Sequence, residues 1–215
     1  MKKAIWAVSI FLAITVIGCN GIGIKGSGIL KDEERPVDYF DKIDISGYYE
    51  VRISQGDHSS FKIIGDDNLL HLVKSDIEGN TLHIWNKKNI SPRRHIKIEI
   101  VTESLESISS SGASSIIMKD FKGDELTLEG SGAGSFRLSG KVETLKAELS
   151  GAVNLKAEDL EANEVYLELS GACDADVNAK EELRADISGV GNIEYSGNPK
   201  ILKKSISGLG SITQK

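Results

Sequence analysis

Cysteine, histidine and aromatic residues are scarce in this 215-residue chain, which has two Cys, four His and two Trp. Because Cys19 is expected to be lipidated, as described below, Cys173 is left alone and no intrachain disulfide is expected. Cys173 falls on an apolar position, which predicts a small buried hydrophobe rather than a nucleophile. The histidines have neither metal-ligand spacing nor Cys partners, so no zinc site is expected at His58, His71, His83 or His95.

Several functional classes lack their sequence signals. The formal net charge is −6, with no evident basic cluster, so nucleic acid is not an expected partner. Neither a Gly-x-Ser-x-Gly elbow nor a phosphate-binding Gly-Lys-Ser/Thr loop occurs. Gly21, Gly23 and Gly26 match a dinucleotide-binding pattern by chance, because no βαβ unit surrounds them. The sequence therefore predicts no cofactor and no metal.

The N-terminus has the features of a bacterial lipoprotein leader. Met1-Lys2-Lys3 is basic, residues 4–17 are apolar but too few to span a bilayer, and Gly18-Cys19 closes a lipobox. We therefore predict a signal peptide at 1–18, lipidation of Cys19 and a short tether at 19–25. The expected location is the cell envelope of a diderm bacterium, held by the lipid anchor, with the outer membrane favoured and its face left open.

A short Ser-Gly phrase recurs every 18 to 20 residues along the C-terminal half. Its central glycines are Gly112, Gly132, Gly151, Gly171, Gly189 and Gly208. A fixed period of this length is typical of a repeat architecture in which each unit packs on its neighbours. Ser27-Gly28 and Ser46-Gly47 carry the phrase nearer the N-terminus.

Apolar residues alternate with polar ones around each glycine, which indicates strands. Strands at this period predict an all-β fold, a parallel β-helix over residues 26–215 with regular coils at 108–215. Residues 26–107 are expected to form either degenerate coils or a capping sheet. The central glycines would allow close backbone approach between coils.

The chain resembles the putative auto-transporter adhesin, head GIN domain family. The resemblance rests on Gly26-Ser27-Gly28, Phe40-Asp41-Lys42-Ile43-Asp44-Ile45-Ser46-Gly47, Asp66-Asp67-Asn68 and the Ser-Gly-Ala copies, together with segments 34–37 and 51–57. It implies a right-handed parallel β-helix on a lipid-anchored envelope protein. It implies no catalytic residues.

A column of acidic residues lies three positions before the glycines: Glu129, Glu148, Glu168 and Asp186. Carboxylates stacked on adjacent strands repel each other unless cations compensate them. Lys146 and Arg184 are expected to reach Glu148 and Asp186, giving a solvated ladder of mixed charge. Calcium on the column is the alternative.

A second outward ladder contains Asn154, Asp174 and Asn192. Such short polar groups either bond along the stack or contact a glycan. We predict a non-enzymatic, adhesin-like scaffold or binding module for a glycan or an envelope protein. The alternative is a carbohydrate-active enzyme using Asp174 and Asp176, which share a face. Trp85 is the only Trp after the leader, so the aromatic platforms of many glycan-cleaving clefts are missing.

Overall fold

The computed structural model describes residues 23–215, and these are built almost entirely of β-strands. The signal peptide and Cys19 lie outside the described residues. A single 3-10 turn covers Leu70–Leu72. No described helix is long and apolar enough to cross a membrane. The strands are β1 (Ile24–Lys25), β2 (Leu30–Arg35), β3 (Lys42–Gly47), β4 (Tyr49–Gln55), β5 (Ser60–Asp66), β6 (Val73–Glu78), β7 (Thr81–Asn86), β8 (Ile90–Ser91), β9 (Ile96–Thr102), β10 (Ser107–Gly112), β11 (Ser115–Gly171), β12 (Asp174–Ile187), β13 (Val190–Ser196), β14 (Ile201–Ile206) and β15 (Leu209–Gln214).

The all-β class is correct, but the prediction of a right-handed parallel β-helix is wrong. Thirteen of the strands form one curled mixed sheet, a half-barrel, while β1 and β8 form a separate pair. Antiparallel pairs join β2 to β5, β5 to β9 and β6 to β7. A parallel solenoid contains no such pairs. The prediction wrongly extended the period of the later half to residues 26–107, where all three antiparallel pairs lie.

A tight turn explains one of the three antiparallel pairs, β6 with β7. The connection between β6 and β7 is only Gly79-Asn80, and Gly79 adopts φ +60°, which glycine reaches without strain. This two-residue turn reverses the chain, and β6 pairs antiparallel with β7. Residues 26–107 therefore form much of the mixed sheet rather than degenerate coils.

The Ser-Gly copies lie side by side in parallel register. Gly47 pairs with Gly112, and Gly112 pairs with Gly132. A Cβ at Gly112 would lie 2.5 Å from the Gly47 carbonyl oxygen, and one at Gly132 would approach Gly112 O more closely still. Gly112 and Gly132 also have φ values of +117° and +111°. Side chains are excluded here by both contact and backbone conformation.

The core is a continuous apolar layer on the concave side of the strands. Alternate residues such as Leu149, Leu169 and Ile187 point inward and are almost fully buried. Cys173 is buried as expected, with Val153 in the same cluster. At the C-terminal edge the layer is open, because Ile201, Leu202, Ile206 and Leu209 remain exposed.

Candidate functional site

A groove of about 540 Å³ crosses successive strands on the outer face of the sheet. We call it the acidic groove. It is lined by the carboxylates of Glu129, Glu148, Glu168 and Asp186 and by the hydroxyls of Ser131, Ser150, Ser170 and Ser188. Strand spacing of about 4.8 Å sets the interval between successive like groups.

The position of these side chains follows from the alternation around each glycine. The carboxylates stand three residues before the glycine and the serines one before, so both face outward on the same strand. Leu149 and Leu169, between them, point into the core. Ser150 Oγ donates to Gly130 O at 3.3 Å, and Ser188 Oγ donates to Leu169 O at 3.4 Å. These bonds to the backbone orient the hydroxyls while leaving their oxygens available as acceptors.

The expected compensation of the acidic column is wrong. Lys146 Nζ lies 2.8 Å from Glu125 instead of pairing with Glu148. Arg184 pairs with Glu182 rather than with Asp186, and its guanidinium also lies over the Tyr166 ring, 5.3 Å from the centroid. A competing carboxylate is within reach of each cation, and Tyr166 further favours the observed position of Arg184.

The four groove carboxylates therefore stand without cations. Across residues 23–215, no Lys, Arg or His nitrogen lies within 4.0 Å of Glu129, Glu148, Glu168 or Asp186. The described residues also include no group of three or more potential metal ligands. The column is a row of exposed acceptors whose mutual repulsion is relieved when a positively charged or hydrogen-bond-donating partner enters the groove.

The second predicted ladder lies outside the groove, and part of it is hydrogen-bonded along the stack. Asp174 Oδ1 accepts from the backbone N–H of Asn192 at 2.9 Å and from its Nδ2 at 3.3 Å. Ser211 Oγ donates to Asn192 Oδ1 at 2.9 Å. Asn154 stands opposite Asp174 in register. Asp174 and Asn192 are therefore bonded to each other within the ladder, whereas the Asn154 side chain makes no hydrogen bond among the described residues.

Asp176 is held as an ionised structural group. Lys156 Nζ lies 2.6 Å from one carboxylate oxygen and Lys215 Nζ lies 3.1 Å from the other. Burial acts to raise the pKa of Asp176, but the hydrogen bonds from Lys156 and Lys215 outweigh it and hold the pKa below its ordinary value. A general acid in glycoside hydrolysis needs a raised pKa, so this environment does not suit that role.

The histidines are dispersed and serve separate contacts. His83 Nδ1 lies 3.0 Å from Asp44 Oδ2, and the His95 ring packs against Tyr48 with centroids 5.1 Å apart.

Sequence reasoning found the acidic column but missed that the serines complete a groove with it. The signal was present, since Ser precedes each of these glycines by one position.

Sequence reasoning used the Asp-Asp-Asn and Gly-Ser-Gly motifs only for the family resemblance and missed that they bind each other. We call the resulting set of hydrogen bonds around Asp66 and Asn68 the clamp on the N-terminal segment. Asp66, fully buried, accepts from Gly28 N at 2.7 Å and from Arg93 N at 2.8 Å. Asn68 Oδ1 accepts from Ser27 N, and Asn68 Nδ2 donates to Lys25 O, both at 2.8 Å. The Asp-Asp-Asn and Gly-Ser-Gly motifs therefore act together, fastening the start of the described chain to the sheet.

Comparisons with known proteins agree on one family. The sequence profile described as putative auto-transporter adhesin, head GIN domain, matches residues 39–199. A crystal structure of a putative adhesin from Bacteroides fragilis NCTC 9343 is 26% identical with TM-score 0.75, covering 90% of this chain and 100% of that one. No curated protein matches the chain.

Two further crystal structures share the fold at lower identity. A putative adhesin from Parabacteroides merdae ATCC 43184 is 19% identical with TM-score 0.54, covering 90% of this chain and 99% of that one. A putative lipid binding protein from Parabacteroides distasonis ATCC 8503 is 24% identical with TM-score 0.53, covering 89% and 99%.

Proposed function

Because the chain belongs to the putative auto-transporter adhesin, head GIN domain family, we propose that it is a non-enzymatic, adhesin-like binding module of the bacterial cell envelope. An acylated Cys19 tethers it to a membrane, with the outer membrane favoured. The acidic groove is its contact surface, and the partner is a glycan or an envelope protein.

The observation that carries this proposal is the uncompensated row of groove carboxylates with parallel hydroxyls. Exposed carboxylates accept hydrogen bonds from sugar hydroxyls, from amino groups, or from Lys and Arg side chains. Regular spacing across strands suits an extended polymer that meets the same chemistry at each step. The negative column repels anionic polysaccharides and nucleic acids. The row of carboxylates also disfavours an acyl chain in this groove, although the third similar structure is described as a putative lipid binding protein.

A binding screen tests the groove directly. A chain beginning at Asn20 is applied to an array of neutral, amino-bearing and acidic glycans, and in parallel is cross-linked to envelope proteins. We expect retention of neutral or amino-bearing glycans, or of a basic protein segment, and none of acidic glycans. Glu148→Gln with Glu168→Gln should weaken that binding about tenfold, because neutral amides lose the charge-assisted bonds.

The matched control is Glu78→Gln with Glu103→Gln, two exposed carboxylates outside the groove. Equal loss of binding in both double variants would show that net charge, rather than the groove, governs recognition. The wild-type chain should also release no reducing ends or unsaturated sugars from polysaccharides. Turnover lost in the Asp174→Asn, Asp176→Asn variant would instead identify a carbohydrate-active enzyme.

A further inference from the structure

The overall acidity of the chain conceals a local excess of positive charge. Between Glu78 and Glu99 there is no acidic residue, whereas five Lys or Arg residues occur. Four of these and Lys25 are exposed near the clamped N-terminal segment. We call this group the basic corner: Lys25, Lys87, Lys88, Arg93 and Arg94.

Direct contacts bring the parts of the basic corner together. Ile24 pairs with Ile90 and Lys25 with Ser91 in the short β1–β8 sheet. Lys88 lines a shallow surface depression with Gly23, Ile24 and Asn89.

The buried carboxylate of Asp66 fixes the other side of this corner. It accepts from Gly28 N through one oxygen and from Arg93 N through the other. Arg93 is therefore held beside the N-terminal segment by its backbone, and its side chain remains exposed.

The positive charges of this corner are not neutralised internally. Within residues 23–215, none of its five members forms an ion pair. The two acidic side chains at the corner are already bonded, Asp66 to backbone N–H groups and Asp67 to Ser27 Oγ at 2.5 Å. Five cations thus face solvent around one buried and one exposed carboxylate.

Exposed apolar side chains accompany the cations. Ile24, Ile29 and Leu30 are 40%, 64% and 50% exposed. All three lie close together in the sequence of the clamped N-terminal segment. Exposed large apolar side chains next to Lys and Arg are typical of protein surfaces that insert shallowly among lipid headgroups.

The short stretch of chain between Cys19 and the basic corner also favours contact between this corner and a membrane. Cys19 precedes Gly23 by four residues, a span of at most about 14 Å when extended. If Cys19 carries acyl chains, the bilayer must lie within that distance of the basic corner.

From these observations we propose that the basic corner docks on a bilayer surface rich in anionic phospholipids. Its cations pair with lipid phosphates while Ile24 and Ile29 enter the headgroup layer. Docking of this kind would orient the sheet relative to the membrane, which a flexible tether alone does not. The proposal needs neither lipidation of Cys19 nor a ligand in the acidic groove.

The test is flotation with vesicles. The chain beginning at Asn20 retains every described strand and the continuous core, and it is mixed with phosphatidylcholine vesicles with or without phosphatidylglycerol. We expect flotation only with the anionic vesicles, and release in about 1 M salt, where the Debye length falls to about 3 Å.

Variants separate the corner from general charge. Lys88→Gln, Arg93→Gln and Arg94→Gln together should weaken vesicle binding about a hundredfold, since each basic side chain contributes roughly fivefold at an anionic surface. The control is Lys119→Gln, Arg137→Gln and Lys203→Gln, which removes the same charge from exposed positions elsewhere. Circular dichroism confirms that both remain folded.

Several results would overturn the proposal. They are absence of flotation, equal flotation with neutral vesicles, and equal weakening in the two triple variants. Dimerisation lost in the corner variant, or a DNA mobility shift lost in it without vesicle binding, would assign the surface to a second copy or to nucleic acid instead. Glycan binding by the acidic groove is measured separately, so failure of either proposal leaves the other intact.

Discussion

The hydroxyls of Ser46 and Ser111 lie 2.8 Å apart, although 65 residues separate them in the chain. Gly47 and Gly112 follow in register, and Ala113 N donates to Gly47 O at 2.8 Å. The early Ser-Gly copy is thus the direct neighbour of the first copy in the later series. The intervening residues fold against the opposite edge of the same strands, with β7 on β3 and β9 on β4.

Substitutions at inward and outward positions of one strand should have very different effects on the stability of the protein. Leu169 is 3% exposed and pairs with Ile187, so Leu169→Asp places a carboxylate without a partner in the core. We expect a loss of several kcal/mol, against a total stability of about 5–15 kcal/mol. Glu168→Ala, on the outer face, should change stability by less than about 0.5 kcal/mol. Thermal unfolding measures both, and equal shifts would contradict the assignment of faces.

Replacement of a stacked glycine should cost more than replacement of a turn glycine. Gly132→Ala adds a Cβ against the Gly112 carbonyl at φ +111°. Gly79→Ala, at φ +60°, meets no atom within 4 Å and adds only conformational strain, roughly 1–2 kcal/mol. Urea unfolding should show the larger loss for Gly132→Ala. A larger loss for Gly79→Ala would mean that the close approach between strands is unimportant.

The clamp at Asp66 should control the order of the N-terminal segment. Asp66→Asn keeps the shape but replaces one accepting oxygen with an amide donor, which breaks a charge-assisted bond to Gly28 N or Arg93 N. Hydrogen exchange of the Gly28 amide should accelerate by more than tenfold, and proteases should cleave residues 23–29 faster. Asp57→Asn, at an exposed position, is the control. Unchanged protection at Gly28 would show that β1–β8 pairing alone holds the segment.

The ion pairs of Asp176 predict a pH-dependent contribution to stability. Its pKa in the folded protein lies below the ordinary 3.8, so the unfolded chain binds the proton more readily. The stabilisation is therefore complete above about pH 4 and is lost as the pH falls through the folded pKa.

At pH 7 Asp176→Asn should remove the pairs with Lys156 and Lys215, roughly 0.2–1 kcal/mol each. The difference from wild type should disappear on acidification. Asp174→Asn, which removes a neighbouring carboxylate without a lysine partner, should cost less at pH 7. A difference that grows as the pH falls would have the wrong sign.

Lipidation of Cys19 remains a prediction from the leader. Cys19→Ala should abolish incorporation of labelled fatty acid, because the thiol is the acceptor for the first lipid. After a high-salt wash, which removes any association through the basic corner, the variant should leave the membrane fraction. Continued labelling would exclude Cys19 as the acylated residue, and Asn20→Ser serves as a neighbouring control.

The sequence by itself determined the local features of this protein. Alternation around each glycine assigned Leu169 to the core and Glu168 to the surface, because side chains of a strand point to opposite faces. The motifs carried the family resemblance, and the spacing of Ser-Gly copies anticipated their parallel register. The alternation and the motifs depend only on neighbours along the chain, and the register of the copies follows from their regular spacing.

The tertiary structure decided how the strands assemble and where the charges are compensated. The half-barrel includes the antiparallel pairs β2–β5, β5–β9 and β6–β7, of which only the last is joined by the Gly79-Asn80 turn, and no period in the later half reveals them. Lys146 pairs with Glu125, which is 21 residues away in the chain, and this pair exists only in the folded sheet. Arg184 pairs with Glu182, two residues before it on the same strand, so that competitor was already present in the local sequence. The basic corner likewise depends on tertiary contacts: β1 pairs with β8, and the two oxygens of the buried Asp66 carboxylate bind Gly28 and Arg93, which are distant in sequence.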